Sequence, residues 1–304
     1  MAVPPARDPD HDGVTVSSGL LAATFLPQLG MLGVSLRHRG EELLALPGGL
    51  DGYRAGDVTG LPLLAPWANR LGARRYEVDG DVVDLDGLAL HTDEHGLPIH
   101  GTMTAQPGWD MVAVDGRSLT SRFDVGAHPE LLASFPFPHE LRIDVAVDAT
   151  TLSMATTLTP TSDRSVPVAF GYHPYLSLPG TARGDIRLYL PARRHLELDE
   201  RQLPTGGWRA EEAEDGPLGT RRFDELYRLG RDRELALEGG GRRLTLRLGP
   251  GYRYAQVFTP ANADAVCLEP MTAPVNALVD GDYVLVPPGG SFTARFELRV
   301  EDRR

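Results

Sequence analysis

Along most of this chain, apolar residues alternate with polar ones at a period of two. Leu141, Ile143, Val145 and Val147 fall on one side of a pleat, with Arg142, Asp144 and Ala146 on the other. Phe292, Ala294, Phe296, Leu298 and Val300 alternate with Thr293, Arg295, Glu297 and Arg299, and Leu244, Leu246 and Leu248 flank Thr245 and Arg247 in the same way. Successive side chains of a strand point to opposite faces, so the pattern makes strands with one buried and one wetter face, as in antiparallel sheets. Turn signals separate the runs: Asp79-Gly80, Asp86-Gly87, Asp115-Gly116, Gly239-Gly240-Gly241 and Pro287-Pro288-Gly289-Gly290. The apolar stretch 19–36 is interrupted by Thr24, Pro27 and Gln28, so it predicts strand, turn, strand rather than a membrane span. Segments of helical period are scarce. The best is residues 223–229, where Phe223, Leu226 and Tyr227 have helical spacing. The predicted fold is all-β, a large antiparallel β-sandwich. Strand signals run through the middle of the chain without a linker, which predicts one domain over residues 1–304, with 1–13 a flexible N-terminal segment.

Composition narrows the chemistry. All 30 basic residues are Arg, so Schiff-base chemistry on a lysine, a lysine-anchored pyridoxal group and a phosphate-loop lysine are excluded. The net charge of −12 argues against a nucleic-acid partner, whose binding depends on neutralising phosphates. Cys267 is the only cysteine, which rules out an internal disulfide and argues against a Cys-based structural zinc site; between Val266 and Leu268 its default role is a small buried hydrophobe. With no apolar targeting core near the N-terminus, the expectation is a cytoplasmic protein, monomer or homodimer, that engages no membrane.

Five segments break the alternation with polar residues beside Pro or Gly. Pro66-Trp67-Ala68-Asn69-Arg70 offers amide and guanidinium donors suited to sugar hydroxyls, although an exposed turn would look similar. Pro98-Ile99-His100-Gly101, with Trp109 nearby, suits a sugar ring packed on an aromatic face. His91, Asp93, His95 and His100 are close enough in sequence to raise a metal site, but loop spacing and Pro98 argue against one, and none is expected. In Gly171-Tyr172-His173-Pro174-Tyr175 the proline holds His173 extended, and an imidazole suits proton donation and recovery; a packed core histidine is the bland alternative. Asp224 alone is indistinguishable from a helix cap or a surface acid. Glu269 follows the apolar run Ala265-Val266-Cys267-Leu268 and precedes Pro270, an expensive position for a carboxylate unless it is paired or functional. A candidate acid and base with hydrogen-bond donors, and no nucleophile, metal or cofactor signature, leaves isomerisation, epimerisation, lysis, hydrolysis or binding.

Taken in order, these segments resemble the aldose 1-epimerase (galactose mutarotase-like) family, over roughly residues 14–300. The motifs are Pro62-Leu63-Leu64-Ala65-Pro66-Trp67-Ala68-Asn69-Arg70-Leu71, Ile99-His100-Gly101, Gly171-Tyr172-His173-Pro174-Tyr175, Phe223-Asp224 and Cys267-Leu268-Glu269-Pro270. The resemblance implies the family's mutarotase-like β-sandwich with an open sugar cleft and no cofactor. It implies Glu269 as general base and His173 as general acid, with Asn69, Arg70, His100 and Asp224 contacting the substrate. The chain departs from the family's pattern at Gly30-Met31, at Leu176 and at Met271-Thr272-Ala273-Pro274. These departures bear on which sugar is used and remove no catalytic group. The implied activity is interconversion of the α and β anomers of a free aldose such as glucose or galactose. Its rivals are a hexose-6-phosphate 1-epimerase, with Arg74-Arg75 or Arg193-Arg194 as candidate phosphate donors, and a non-catalytic sugar-binding protein. Lyases and hydrolases of related shape are a third alternative, disfavoured because they need a longer groove and more chain.

Overall fold

The computed structural model describes residues 13–303, together with the backbone of Arg7–Asp8. The predicted flexible segment 1–13 lies largely outside the described residues.

Two antiparallel sheets dominate. The larger has nine strands in the order Glu214–Pro217, Arg187–Leu190, Glu234–Gly239, Arg242–Leu248, Phe292–Asp302, Thr151–Pro160, His139–Val147, Ser118–Asp124 and Asp110–Val114. The alternating runs read from the sequence are its central strands: Leu141, Ile143 and Val145 are buried opposite Leu158 and Met154, while Arg142 is exposed. The second sheet runs Pro204–Glu211, Arg193–Leu198, Asp224–Leu229, Tyr254–Phe258, Val266–Met271, Gly171–Tyr172 and Leu63–Leu64, and Tyr175–Leu176 also pairs with Val266–Met271. A smaller sheet collects the N-terminal strands, including Leu21–Leu26 and Leu32–His38, joined by a short turn at Pro27–Leu29 as the stretch 19–36 predicts. Two-residue hairpins form where Gly was expected to permit them: Asp79 and Gly80 both take positive φ between paired Val78 and Asp81, and Gly240 and Gly241 do so between Gly239 and Arg242.

The core lies between the two large sheets. Val266 and Leu268 pack in the same cluster as Leu244, Leu141 and Phe296. Tyr172 crosses the gap, its ring 5.2 Å from Phe296 and its hydroxyl 2.8 Å from that of Thr156. Residues 223–229 are not the helix their spacing suggested. Asp224–Leu229 is a strand paired on both sides, with Tyr254–Phe258 and with Arg193–Leu198. Its adjacent Leu226 and Tyr227 are buried on opposite faces, Leu226 with Tyr254 and Met271, Tyr227 in the main core. A strand buried on both faces shows no two-residue alternation, so a helical spacing appeared by accident.

Candidate functional site

All six residues of the strand Val266–Met271 are buried. Its pleat sends Val266 and Leu268 into the core and Cys267, Glu269 and Met271 to the other face, away from the nine-stranded sheet. The neighbouring chain fixes what meets Glu269. Gly171 pairs with Met271 and Tyr175 pairs with Cys267, so continuing that register sets His173 directly opposite Glu269. Pro174 cannot donate to the ladder and keeps the residue before it extended. The pairing breaks there, and the His173 amide turns instead to the Pro62 carbonyl at 3.2 Å. His173 Nε2 then lies 3.3 Å from Glu269 Oε1. Close approach of the chains depends on Gly171, where a Cβ would stand 2.3 Å from Met271 Sδ.

Asn69, Arg70, His100, His173, Asp224 and Glu269 all line one cavity of about 200 Å³. Asp57, Val58, His91, Ile99, Tyr175, Gln256 and Phe258 complete its wall. His173 is stacked on Tyr175 at 4.8 Å and meets Phe258 and His100 edge-on at 5.7 and 5.6 Å. His100 has φ 64° and is followed by Gly101 at φ 70°, where a Cβ would stand 2.1 Å from the Ala65 carbonyl oxygen. Only glycine allows that approach. It aims the His100 ring so that Nδ1 lies 2.9 Å from the Ala68 carbonyl. Burial pushes the His100 pKa down to about 4, so the ring is neutral at pH 7. A carbonyl can only accept, hence Nδ1 carries the proton and Nε2 is an acceptor.

Arg70 is clamped. Its Nε donates to Asp93 at 2.8 Å and its Nη2 to Asp224 at 3.2 Å. Asp93 is fixed in turn by the backbone amides of His95 and Leu97, both at 2.9 Å. Burial works to raise the Asp93 pKa, but those amides and Arg70 outweigh it and hold the carboxylate ionised, below its usual range. Asp224 also accepts a 2.6 Å bond from Gln256, which faces Glu269 across the strand pair. The Asn69 carbonyl oxygen accepts from the Arg70 amide at 2.9 Å, leaving the Asn69 amide hydrogens for a ligand.

The His173 and Glu269 side chains are 7% and 2% exposed. Burial lowers the pKa of His173, helped by His100, and raises that of Glu269, helped by the charge of Asp224 against the opposing pull of Arg70. Both shifts favour a pair that holds a single proton between its members. Such a pair can give a proton at one atom and take one at the other.

The structure thus brings all six sequence-predicted residues to one wall-to-wall site. Four residues there were not singled out, Asp57, Val58, Gln256 and Phe258, and Asp93, raised only as a doubtful metal ligand, instead binds Arg70. Gln256 and Phe258 lie in an apolar strand with no motif of their own, and only the register shows that they face Glu269 and Cys267. Trp109, expected beside a sugar ring, is instead a core residue packed on Phe123 at 5.3 Å; Tyr175 and Phe258 are the aromatic residues of the cavity. Neither arginine pair enters the wall. Arg193 is buried against Glu211 and Glu214, and Arg74 binds Asp86 and the carbonyls of Leu85 and Leu88.

The fold recurs in known structures. A putative aldose 1-epimerase from Escherichia coli K12 has a TM-score of 0.77 at 22% identity, covering 95% of this chain and 99% of that one. A galactose mutarotase-like protein from Clostridium acetobutylicum reaches 0.83 at 18% identity, covering 96% of each chain. The galactose 1-epimerase from Lactobacillus acidophilus NCFM gives 0.78 at 16% identity, covering 100% of this chain and 99% of that one. No curated protein matches this sequence. A sequence profile of the aldose 1-epimerase family matches residues 24–299, nearly the full length, and on that match the chain belongs to the aldose 1-epimerase family.

Proposed function

We propose that this protein interconverts the α and β anomers of a free aldose by opening and reclosing the sugar ring. The observation that carries the reading is the facing of His173 Nε2 and Glu269 Oε1 at 3.3 Å on the wall of a small polar cavity. A hemiacetal presents two oxygens on one carbon, the O1 hydroxyl and the ring oxygen. A donor and an acceptor side by side match that pair. Burial favours the shared proton on Glu269, and reaction starts from the arrangement in which it sits on His173: Glu269 then takes the proton from O1 while His173 protonates the ring oxygen, and the bond from C1 to the ring oxygen breaks as C1 and O1 become an aldehyde. Rotation about C1–C2 presents the other aldehyde face, and the same two transfers run backwards to close the ring. Proton number is conserved at each stage, so the pair returns to its starting state. Arg70, Asn69 and His100 bind hydroxyls and stabilise charge that develops on oxygen.

The cavity volume favours one small ring, being below the roughly 300–1,000 Å³ typical of drug-sized ligand sites. Its charge favours an unphosphorylated sugar. Asp57, Asp224 and Glu269 line it, and the one arginine of its wall among the described residues, Arg70, is already shared by Asp93 and Asp224. A phosphate would meet carboxylates with no uncommitted arginine at the wall among the described residues. The test is polarimetry on freshly dissolved α-glucose and α-galactose, with glucose 6-phosphate beside them. Faster approach to the anomeric equilibrium on a free sugar is expected. Acceleration with the phosphate alone would overturn the substrate class, and binding without acceleration would make the protein a sugar binder.

A further inference from the structure

The mechanism uses His173 and Glu269 but not the third reactive group beside them. Cys267 lies two residues before Glu269 on the same face of the strand Val266–Met271, opposite Tyr175. One ligand atom from each of His173, Cys267 and Glu269 lies within 4.8 Å of the others. We propose that these three side chains form a binding site for a thiophilic divalent cation of the zinc type, and that its occupation blocks the acid–base pair.

Three observations converge. A tetrahedral ion with bonds of about 2.0–2.1 Å to nitrogen and oxygen sets those ligands about 3.3 Å apart. His173 Nε2 and Glu269 Oε1 are already at 3.3 Å. The sulfur bond of about 2.3 Å sets the thiol about 3.6 Å from those ligands, so it must close by about 1.2 Å at most, within the reach of a side-chain adjustment. The second observation is an under-bonded carboxylate: Glu269 is 1% exposed, and among the described residues its Oε1 accepts no hydrogen bond, His173 Nε2 at 3.3 Å being an ion-pair contact. The third is charge. A carboxylate, a thiolate and a divalent cation sum to zero, so the occupied site buries no net charge. Sulfur and imidazole ligands select zinc, cadmium or cobalt over magnesium or calcium. His173 and Glu269 line the cavity whereas Cys267 is fully buried, so water or a sugar hydroxyl would reach the ion from the cavity side. His91, Asp93, His95 and His100 offer no equal alternative, because the oxygens of Asp93 are occupied by Arg70 and by the amides of His95 and Leu97.

The inhibitory half of this inference rests on the proposed roles of His173 and Glu269; the binding half does not, and the two are read separately. Titration of the protein with Co²⁺ should give a thiolate-to-cobalt charge-transfer band that saturates at one equivalent. That band should be missing from Cys267→Ala and Cys267→Ser, neither of which removes a hydrogen bond from the cavity. Zn²⁺ should suppress anomerisation of the wild type, with full recovery on adding a chelator. In the Cys267 variants turnover should persist, and half-inhibition should need about 100-fold more Zn²⁺, since even an outer-shell change costs 10–100-fold in affinity. Wild type without the cobalt–thiolate band, or variants inhibited at the wild-type Zn²⁺ concentration, would overturn the site. A normal band in a protein that never anomerises a sugar would instead keep the site and reject the proposed function.

Discussion

Replacing Glu269 by Gln tests the base role and the energetics of its placement together. The carboxylate is 1% exposed, 3.3 Å from His173 Nε2 and opposite Gln256 in the sheet. The amide keeps the volume and planar shape but cannot accept the O1 proton, so turnover should fall by about 10²–10⁴-fold. Stability should move the other way. Burial, reinforced by Asp224, lifts the folded-state pKa of Glu269 above its ordinary 4.5. The native protein therefore binds that proton more tightly than the unfolded chain does. Its contribution is fully present below about pH 4.5, and it is lost as pH rises through the raised folded value. Gln does not titrate, so Glu269→Gln should match the wild type in acid and overtake it as pH rises. Single stabilising substitutions commonly gain about 0.5–2 kcal/mol, and removing a buried titrating carboxyl is expected to fall in that range. For a chain near 300 residues that is a rise in Tm of about 1–3 °C. Polarimetric rates and thermal melts at pH 4.5 and 8 are the assay. Near-wild-type turnover in the folded variant would remove Glu269 from the mechanism. A Tm that drops further with rising pH would refute the burial argument, because it would mean that His173 holds the carboxylate ionised and stabilised.

Other expectations follow from the same geometry. His173→Asn should lower kcat by about 10²–10⁴-fold while sugar binding measured calorimetrically persists; a variant that binds poorly yet turns over bound sugar normally would make His173 a clamp rather than an acid. In metal-free buffer kcat/KM should follow a bell, with its acid limb below the ordinary histidine value of 6.5, because burial depresses His173, and its alkaline limb above the ordinary 4.5 of Glu269. A profile rising through pH 6.5 with no alkaline limb would contradict a shared proton. Asp93→Ala should free Arg70, raise KM and cut kcat/KM by about 10–100-fold, with Asp93→Asn recovering part of the loss; unchanged kinetics in a folded Asp93→Ala would deny that Asp93 positions Arg70. Full activity should survive exhaustive dialysis against a chelator, and activity that vanishes and returns with one divalent ion would reverse the metal-free reading.

The β architecture was legible because each long strand of the nine-stranded sheet has a core face and a solvent face. The alternation of Leu141 through Val147, and of Phe292 through Val300, is the direct trace of that asymmetry. The second sheet was harder to read for the opposite reason. Its central strands, Tyr254–Phe258 and Val266–Met271, are covered on both sides, by the core on one face and by the cavity wall on the other. Val266–Met271 and Asp224–Leu229 therefore carry apolar residues at adjacent positions, and the latter passed for a helix. The strand assignment came from hydrogen bonds to two neighbours, which no local window contains.

The same physics explains which part of the site could be read from the chain. Glu269 and His173 stand out because each violates a local rule: a carboxylate in an apolar strand, an imidazole before a proline. Their meeting, however, is a property of register. It follows from Gly171 facing Met271 and Tyr175 facing Cys267, so that the intervening residue must face Glu269. One residue of slippage would turn the imidazole to the opposite face of the sheet. The register is in turn held at Gly171, where any Cβ would strike Met271 Sδ and the Pro270 carbonyl. A second clamp stands at Gly101, pressed against Ala65 and followed back by the left-handed turn of His100. Glycines that tolerate no side chain thus bracket the acid–base pair and its neighbour. Asp93 breaks no such local rule: the sequence raises it only as a disfavoured metal ligand beside His91, His95 and His100, and its hold on Arg70 appears only in three dimensions. Residues that touch the substrate can be suspected one by one from what they violate, whereas residues that position them are found through their partners.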